Sequence, residues 1–114
     1  MKRLYSTMIE FDAGHVDQDW SSCSRSHGHH WAIEAEAEIV HRGQFDELRT
    51  ALHHGLSQIE TEWADRNINE MLHLSSTDPD LLAGWVLERL LLTVPTTTQV
   101  TVSMGNSWAI RTRT

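Results

Sequence analysis

Histidine is the residue type whose number and placement first suggest chemistry. Eight occur in 114 residues, and two of them stand in the string His27-Gly28-His29. Residues at i and i+2 of an extended chain point to one side, so this string presents two imidazoles together. Gly28 lets the backbone bend close to whatever they hold. A third histidine, His15, follows Ile9, Phe11 and Ala13 at a spacing of two and so shares their face. Three neutral imidazoles with an open fourth position are the donor set of catalytic zinc. There the ion takes up water or substrate, lowers a proton's pKa and polarises a carbonyl. The same spacing also fits solvent-exposed loop histidines, because two histidines two apart arise often by chance. His30 alternates to the opposite face. His53 and His54 fall within a helical stretch and His73 in a loop, where each reads as a surface or packing residue. His41 closes a strand, and no pattern gives it a role.

Two strands are needed to bring these side chains together. Residues 3–15 alternate, with Tyr5, Thr7, Ile9, Phe11, Ala13 and His15 on one face and Lys2, Ser6, Glu10 and Asp12 on the other. Residues 16–28 are polar and read as a loop. Residues 29–40 alternate again. His29, Trp31, Ile33, Ala35, Ala37 and Ile39 face one way and Glu34, Glu36 and Glu38 the other, as in a strand with one wet, acidic face. If the two strands pair as a hairpin, His15 and the His-Gly-His string meet at one end.

After Gly43 the period changes. Phe45, Leu48, Leu52, Leu56, Ile59 and Trp63 recur every three or four residues, predicting an amphipathic helix. Residues 64–77 read as irregular. Asp78-Pro79 predicts a helix start, Asp as N-cap and Pro at the first helical position, followed by Leu82, Trp85, Val86 and Leu90 as the apolar stripe. Pro95 ends it. Residues 97–104 and 107–112 read as a closing hairpin around Gly105-Asn106. The order ββ-αα-ββ predicts an α+β fold: one domain, 1–114, with an antiparallel β-sheet and two helices packed on one face.

Composition narrows the function classes. At 39% hydrophobic and 22% charged residues the chain reads as soluble and globular. A net charge of -7 argues against binding a nucleic-acid backbone, which needs a cationic footprint. The longest apolar stretch, near Leu87–Leu92, is broken by Glu88 and Arg89 and is too short to span a bilayer. A single cysteine, Cys23, and the lack of an apolar run after the opening basic pair lead to an expectation of a cytoplasmic protein. Five tryptophans suggest either surplus apolar surface for assembly or simple core filling.

Phe11-x-Ala13-x-His15 followed by Cys23-x-x-x-His27-Gly28-His29 resembles the 6-pyruvoyltetrahydropterin synthase / 6-carboxytetrahydropterin synthase family. Phe45-x-x-Leu48-Arg49, Arg66-Asn67-Ile68-Asn69-Glu70, Ala83, Trp85 and Val100-x-Val102 extend the likeness over nearly the whole chain. The resemblance implies a tunnelling fold, in which subunits join through their sheets into an oligomeric barrel, as a hexamer built from two trimers. It implies zinc held by His15, His27 and His29, and a pterin-like or phosphorylated, polyol-bearing small substrate. It also implies that Cys23 moves a proton at a carbon next to a zinc-bound oxygen, which requires a lowered thiol pKa.

The sequence departs from that family in places that matter chemically. Aligned on Asn69, the family's Asp-His pair is replaced by Ala64 and Asp65, which leaves Asp65 as the one acid or base of the pair. The glutamate that holds the pterin ring aligns with Met104, which cannot accept the ring's paired N–H donors. The start of the second helix is altered to Asp78-Pro79-Asp80. Three functions stay open at this level. The first is a zinc-dependent lyase or synthase of the family type, with Cys23 and Asp65 as its proton-moving residues. The second is a divergent zinc enzyme, a cyclase or hydrolase, acting on a non-pterin substrate. The third is a non-catalytic, zinc-stabilised assembly protein.

Overall fold

Alternation over twelve positions makes each of the first two segments a long strand, β1 Leu4–His15 and β2 His27–Glu38. The computed structural model describes residues 1–18, 27–105 and 108–114, and of His27 the backbone alone. The strands pair antiparallel in one unbroken register, from Leu4 opposite Glu38 to His15 opposite His27. Residues directly opposite each other in such a pair share a face. Ile9, Phe11, Ala13 and His15 of β1 and Trp31, Ile33, Ala35 and Ala37 of β2 are buried on that face. β2 begins at His27, not after the loop expected to run through Gly28, because pairing with β1 continues to the hairpin's last residues.

β3 Thr97–Met104 pairs with the far side of β2, with a bulge at Glu36/Ala37, and β4 Ala109–Arg113 pairs with β3. The sheet order is β1-β2-β3-β4, all antiparallel. The turn after β3 uses Gly105 at φ 77°, a conformation that glycine adopts without strain. Asn106 and Ser107, expected in that turn and at the start of β4, lie outside the described residues.

The helices cover one face. α1 Phe45–Trp63 follows a short 3-10 turn, Arg42–Gln44, and buries Leu52, Leu56, Ile59 and Trp63. Segment 64–77 is not irregular throughout. Asn67 accepts a hydrogen bond from the Glu70 N–H and so caps α2 Ile68–Leu72, which buries Ile68 and Asn69. α3 Pro79–Leu91 starts as expected. The Asp78 carboxylate accepts from the Leu81 N–H at 2.7 Å, and Leu82, Ala83, Val86, Leu87 and Leu90 are buried. No helix of the described residues is long and apolar enough to cross a membrane.

Tryptophan is divided between core and surface. Trp31 and Trp63 are buried, Trp85 is half-buried with its ring 5.2 Å from Trp63, and Trp108 is exposed. Arg89 lies over the Trp85 ring at 5.3 Å and donates two hydrogen bonds to Glu62, one of them at 2.8 Å, which ties α3 to α1. The opposite face of the sheet is charged. It carries Glu10, Asp12, Glu34 and Glu36 on β1 and β2 and Arg111 and Arg113 on β4. His30 bridges Asp12 (2.8 Å) and Glu10 (3.3 Å) there, and these hydrogen bonds, the Asp12 one first, hold its imidazole above the ordinary histidine pKa.

Two outcomes follow from this packing. A Cβ on Gly55 would lie 2.6 Å from Leu90 Cδ2, and Leu90 is buried. Overpacking costs about 1–3 kcal/mol and alanine returns up to about 1 kcal/mol of helix propensity. Gly55→Ala is therefore expected to destabilise the fold by about 1 kcal/mol in urea unfolding; an unchanged or raised midpoint would show that Leu90 moves aside freely.

The second outcome concerns pH. The Arg89 hydrogen bond holds the Glu62 carboxyl below its ordinary pKa. A depressed carboxylate stabilises the fold above its unfolded pKa and loses that contribution as pH falls through the folded one. Glu62→Gln should lower stability near neutral pH by roughly 0.5 kcal/mol, a small value because the pair is partly exposed. The difference from wild type should shrink as pH is lowered through the carboxylate range. A difference that is flat with pH would assign the effect to packing instead of charge.

Candidate metal centre

The end of the β1–β2 hairpin is where the sequence-selected histidines meet. His15 is the last residue of β1 and is fully buried. His29 lies opposite Ala13, and the two imidazole rings are 5.1 Å apart. Trp31 completes the cluster, its ring edge-on to both, 4.9 Å from His15 and 5.9 Å from His29. Its indole N–H donates to the Ala13 carbonyl at 3.0 Å, which fixes the ring against β1. His27 pairs with His15 in the register, so its backbone is at the same end of the hairpin.

The donor chemistry of His15 suits a metal. Its Nδ1 lies 3.0 Å from the Thr77 carbonyl oxygen. A carbonyl only accepts, so Nδ1 carries the proton and the lone pair of the neutral ring is on Nε2. Histidines that bind zinc commonly donate their other ring N–H to a backbone carbonyl in this way. Among the described residues no three metal-ligating side chains converge, and the side chain of His27 and all of Cys23 lie outside that set. The structure therefore brings together His15 and His29 of the expected ligands.

Asp65, the candidate acid or base, is on the turn after α1. It adopts φ 60°, its backbone N–H donates to the Asp12 carbonyl at 2.7 Å, and its side chain is exposed. Ala64, beside it, ends α1. Met104, the position aligned with the family's pterin-holding glutamate, is buried and sits opposite Trp31 across β2–β3. The strand positions beside the histidines are thus apolar at Trp31 and Met104.

Three buried polar residues at this end were given no role by the sequence, although Asn69 stands in the motif that carries the family resemblance. Asp17 is only 3% exposed, Asn69 8% and Thr77 is fully buried. For Asp17 a signal existed, since it continues the period of two through Phe11, Ala13 and His15. The contacts of Asn69 and Thr77 gave none, because their partners are on distant segments: Asn69 bonds the backbone of Val16 and the Thr77 carbonyl accepts from the ring of His15. His53 and His54 are exposed, as their surface reading expects, and His73 forms the left-handed C-cap of α2 at φ 57°.

Comparison with known proteins places this geometry. Residues 5–112 match the family model described as 6-pyruvoyl tetrahydropterin synthase. In three dimensions the chain is similar to 6-pyruvoyl tetrahydropterin synthase of Caenorhabditis elegans, with TM-score 0.78, 13% identity, and 100% of this chain and 96% of that one covered. It is also similar to an uncharacterized protein of Wolinella succinogenes, with TM-score 0.72, 15% identity and coverages of 99% and 98%. A third likeness is to a catalytic-residue mutant of Plasmodium vivax 6-pyruvoyltetrahydropterin synthase, with TM-score 0.62, 10% identity and coverages of 96% and 97%. No curated protein matches the chain by sequence. At such identities the structural likenesses carry the fold, and the match over residues 5–112 carries the family. The chain belongs to the 6-pyruvoyl tetrahydropterin synthase family.

Proposed function

We propose that the protein is a zinc-dependent lyase of the 6-pyruvoyltetrahydropterin synthase type with an altered substrate site. The observation that carries this is the pair of rings of His15 and His29, 5.1 Å apart, with the His15 Nδ1 proton on the Thr77 carbonyl. His15, His27 and His29 would hold Zn2+. When bound, the ion supplies Lewis acidity that polarises a substrate oxygen and acidifies the neighbouring C–H. Cys23, four residues before His27, would serve as the thiolate base that accepts a substrate C–H proton. Asp65, exposed on its turn, exchanges protons between the site and water. The substrate is a pterin-like or phosphorylated, polyol-bearing small molecule, of which 7,8-dihydroneopterin triphosphate is the family-type example.

A second reading rests on Met104. An apolar side chain stands where the family's ring-holding carboxylate aligns, beside Trp31. That favours a divergent zinc cyclase or hydrolase acting on a substrate without a pterin. A non-catalytic, zinc-stabilised assembly protein is the third.

Assembly into a homo-oligomer is supported by the sheet itself. β1 and β4 are its two edges, and the exposed face is acidic on the β1–β2 side and basic on β4. Opposite charges would then meet where β4 of one copy lies beside β1 of the next. A single cysteine working as a free thiol suits a reducing compartment such as the cytoplasm.

The experiments separate these readings. Elemental analysis of the native protein should give about one zinc per chain, and His27→Ala and His29→Ala should each lose it, as a three-histidine site requires. Absence of zinc from a folded wild-type chain would remove the proposal. Cys23→Ala should keep its zinc and lose turnover of a dihydropterin triphosphate by about 100-fold or more, the usual share of a positioned acid–base group. Zinc-dependent turnover of a substrate without a pterin, kept in full by that variant, would favour the cyclase or hydrolase reading. A protein that loses only thermal stability on zinc removal, and turns over no pterin or related substrate, would favour the assembly reading.

A further inference from the structure

A single chain of hydrogen bonds runs from α2 to the ring of His15, and its direction is fixed at one end. The Asn69 side chain is held at both of its atoms by one residue of β1's continuation. Its Oδ1 accepts from the Val16 N–H at 2.9 Å and its Nδ2 donates to the Val16 carbonyl at 3.0 Å. A backbone N–H only donates and a carbonyl only accepts, so the amide has one orientation. Oδ1 also lies 2.8 Å from the Thr77 hydroxyl. An amide oxygen only accepts, so the Thr77 hydroxyl must spend its proton on Asn69. What that hydroxyl turns toward His15 Nδ1, at 3.4 Å, is a lone pair. The Thr77 carbonyl, 3.0 Å from the same Nδ1, is a second acceptor. The Thr77 backbone is held in place by its own N–H, which donates to the Val16 carbonyl at 2.8 Å.

We infer that Asn69, acting through Thr77, secures the tautomer that the Thr77 carbonyl favours in His15: by occupying the hydroxyl proton it removes the one donor that competes with that carbonyl, so the ring proton stays on Nδ1 and the Nε2 lone pair is presented as a metal ligand. Asn69 is a positioning residue in this scheme and touches neither the ion nor the substrate. Without its amide the Thr77 hydroxyl is released to rotate and donate to Nδ1. That donor competes with the Thr77 carbonyl 3.0 Å from the same atom, and it draws part of the ring population to the Nε2-protonated form, in which the atom a metal needs is not bare. The metal role of His15 rests on the function proposed above; the tautomer control does not.

The test begins with the metal-free wild-type protein at a pH where histidine is neutral. Long-range proton–nitrogen NMR should show His15 protonated at Nδ1. Protonation at Nε2 instead overturns the inference, with no variant needed. Asn69→Ala should shift the ring toward the Nε2-protonated form and weaken zinc binding by about tenfold or more, the scale of outer-shell substitutions at metal sites. Thr77→Val removes the hydroxyl but leaves the accepting carbonyl, so its tautomer and zinc affinity should stay near wild type. The double variant, Asn69→Ala with Thr77→Val, has no competing donor and should recover the Nδ1 form and most of the lost affinity.

A merely structural Asn69 predicts the reverse, with the double variant at least as impaired as Asn69→Ala. That result overturns the inference, as does a large loss in Thr77→Val alone. If Asn69→Ala does not fold, the wild-type tautomer and the Thr77→Val affinity still decide. A wild-type chain that binds no zinc overturns the metal reading, and the tautomer shift in Asn69→Ala with its reversal in the double variant then decides the tautomer control alone.

Discussion

The register of the β1–β2 hairpin is the constraint on which the remaining structure depends. A strand's side chains alternate with period two, so a slip of one residue sends every one of them to the other face. Here that slip would place Glu34 and Glu36 under the helices and turn Trp31 and Ile33 to solvent. The unslipped register buries Ile9 against Ile33 and Phe11 against Trp31, and it brings His15 opposite His27 and Ala13 opposite His29. The same choice of register therefore builds the core and assembles the histidines. On the reverse face it sets His30 opposite Asp12, within hydrogen-bond reach. Burying even one unpaired carboxylate costs several kcal/mol, far more than any exposed ion pair on the charged face returns, so the apolar face decides the register.

The sequence made the periodic elements legible, because period and burial are local in these segments. Alternation located β1 and β2, the three-and-four spacing located α1, and Asp78-Pro79 located the start of α3, where the carboxylate does cap Leu81. The short helix α2 was missed although Asn67 and Glu70 stand at the spacing of a capping box; five residues are too few for a periodic apolar stripe to announce them. The candidate site was legible in its histidines and illegible in its supports. His15, His27 and His29 follow from type and spacing. Asn69 and Thr77 act on residues 53 and 62 positions away in the chain, and no local pattern encodes such a contact.

Those supports also determine how the end of β1 behaves. β1 is an edge strand, and a strand's last residues fray unless something bonds their outward amides and carbonyls. Two segments of the same chain do so, the turn at Asp65-Arg66 and the loop at Thr77. Asp65 donates to the Asp12 carbonyl, the Gly14 N–H donates to the Arg66 carbonyl, and the Thr77 N–H donates to the Val16 carbonyl. Gln18 N–H adds a bond to the Ser76 hydroxyl. His15 is thus held from both sides, by β2 within the sheet and by the loops before α2 and α3 outside it. Asp65 reaches this junction through its backbone, which accounts for its left-handed φ without requiring its carboxylate to enter the cluster.

The same closure constrains any partner strand. From Asp12 onward the outer edge of β1 is occupied by the chain's own turn and loop residues, including the parallel bridge of Gly14 to Asn67. Only the stretch from Leu4 to Glu10 is left for a second copy to extend the sheet. A copy paired there would leave the His15 end uncovered by its strand and would approach the site from beside it, over the loops. The hairpin is therefore divided along its length. One half is shaped by internal bonds that fix a buried histidine, and the other presents its outward backbone groups at the open edge of the sheet. A substitution that loosened the Asp65–Asn67 segment would extend the open edge toward His15, and so would exchange order at the candidate metal centre for a longer surface on which strands can pair.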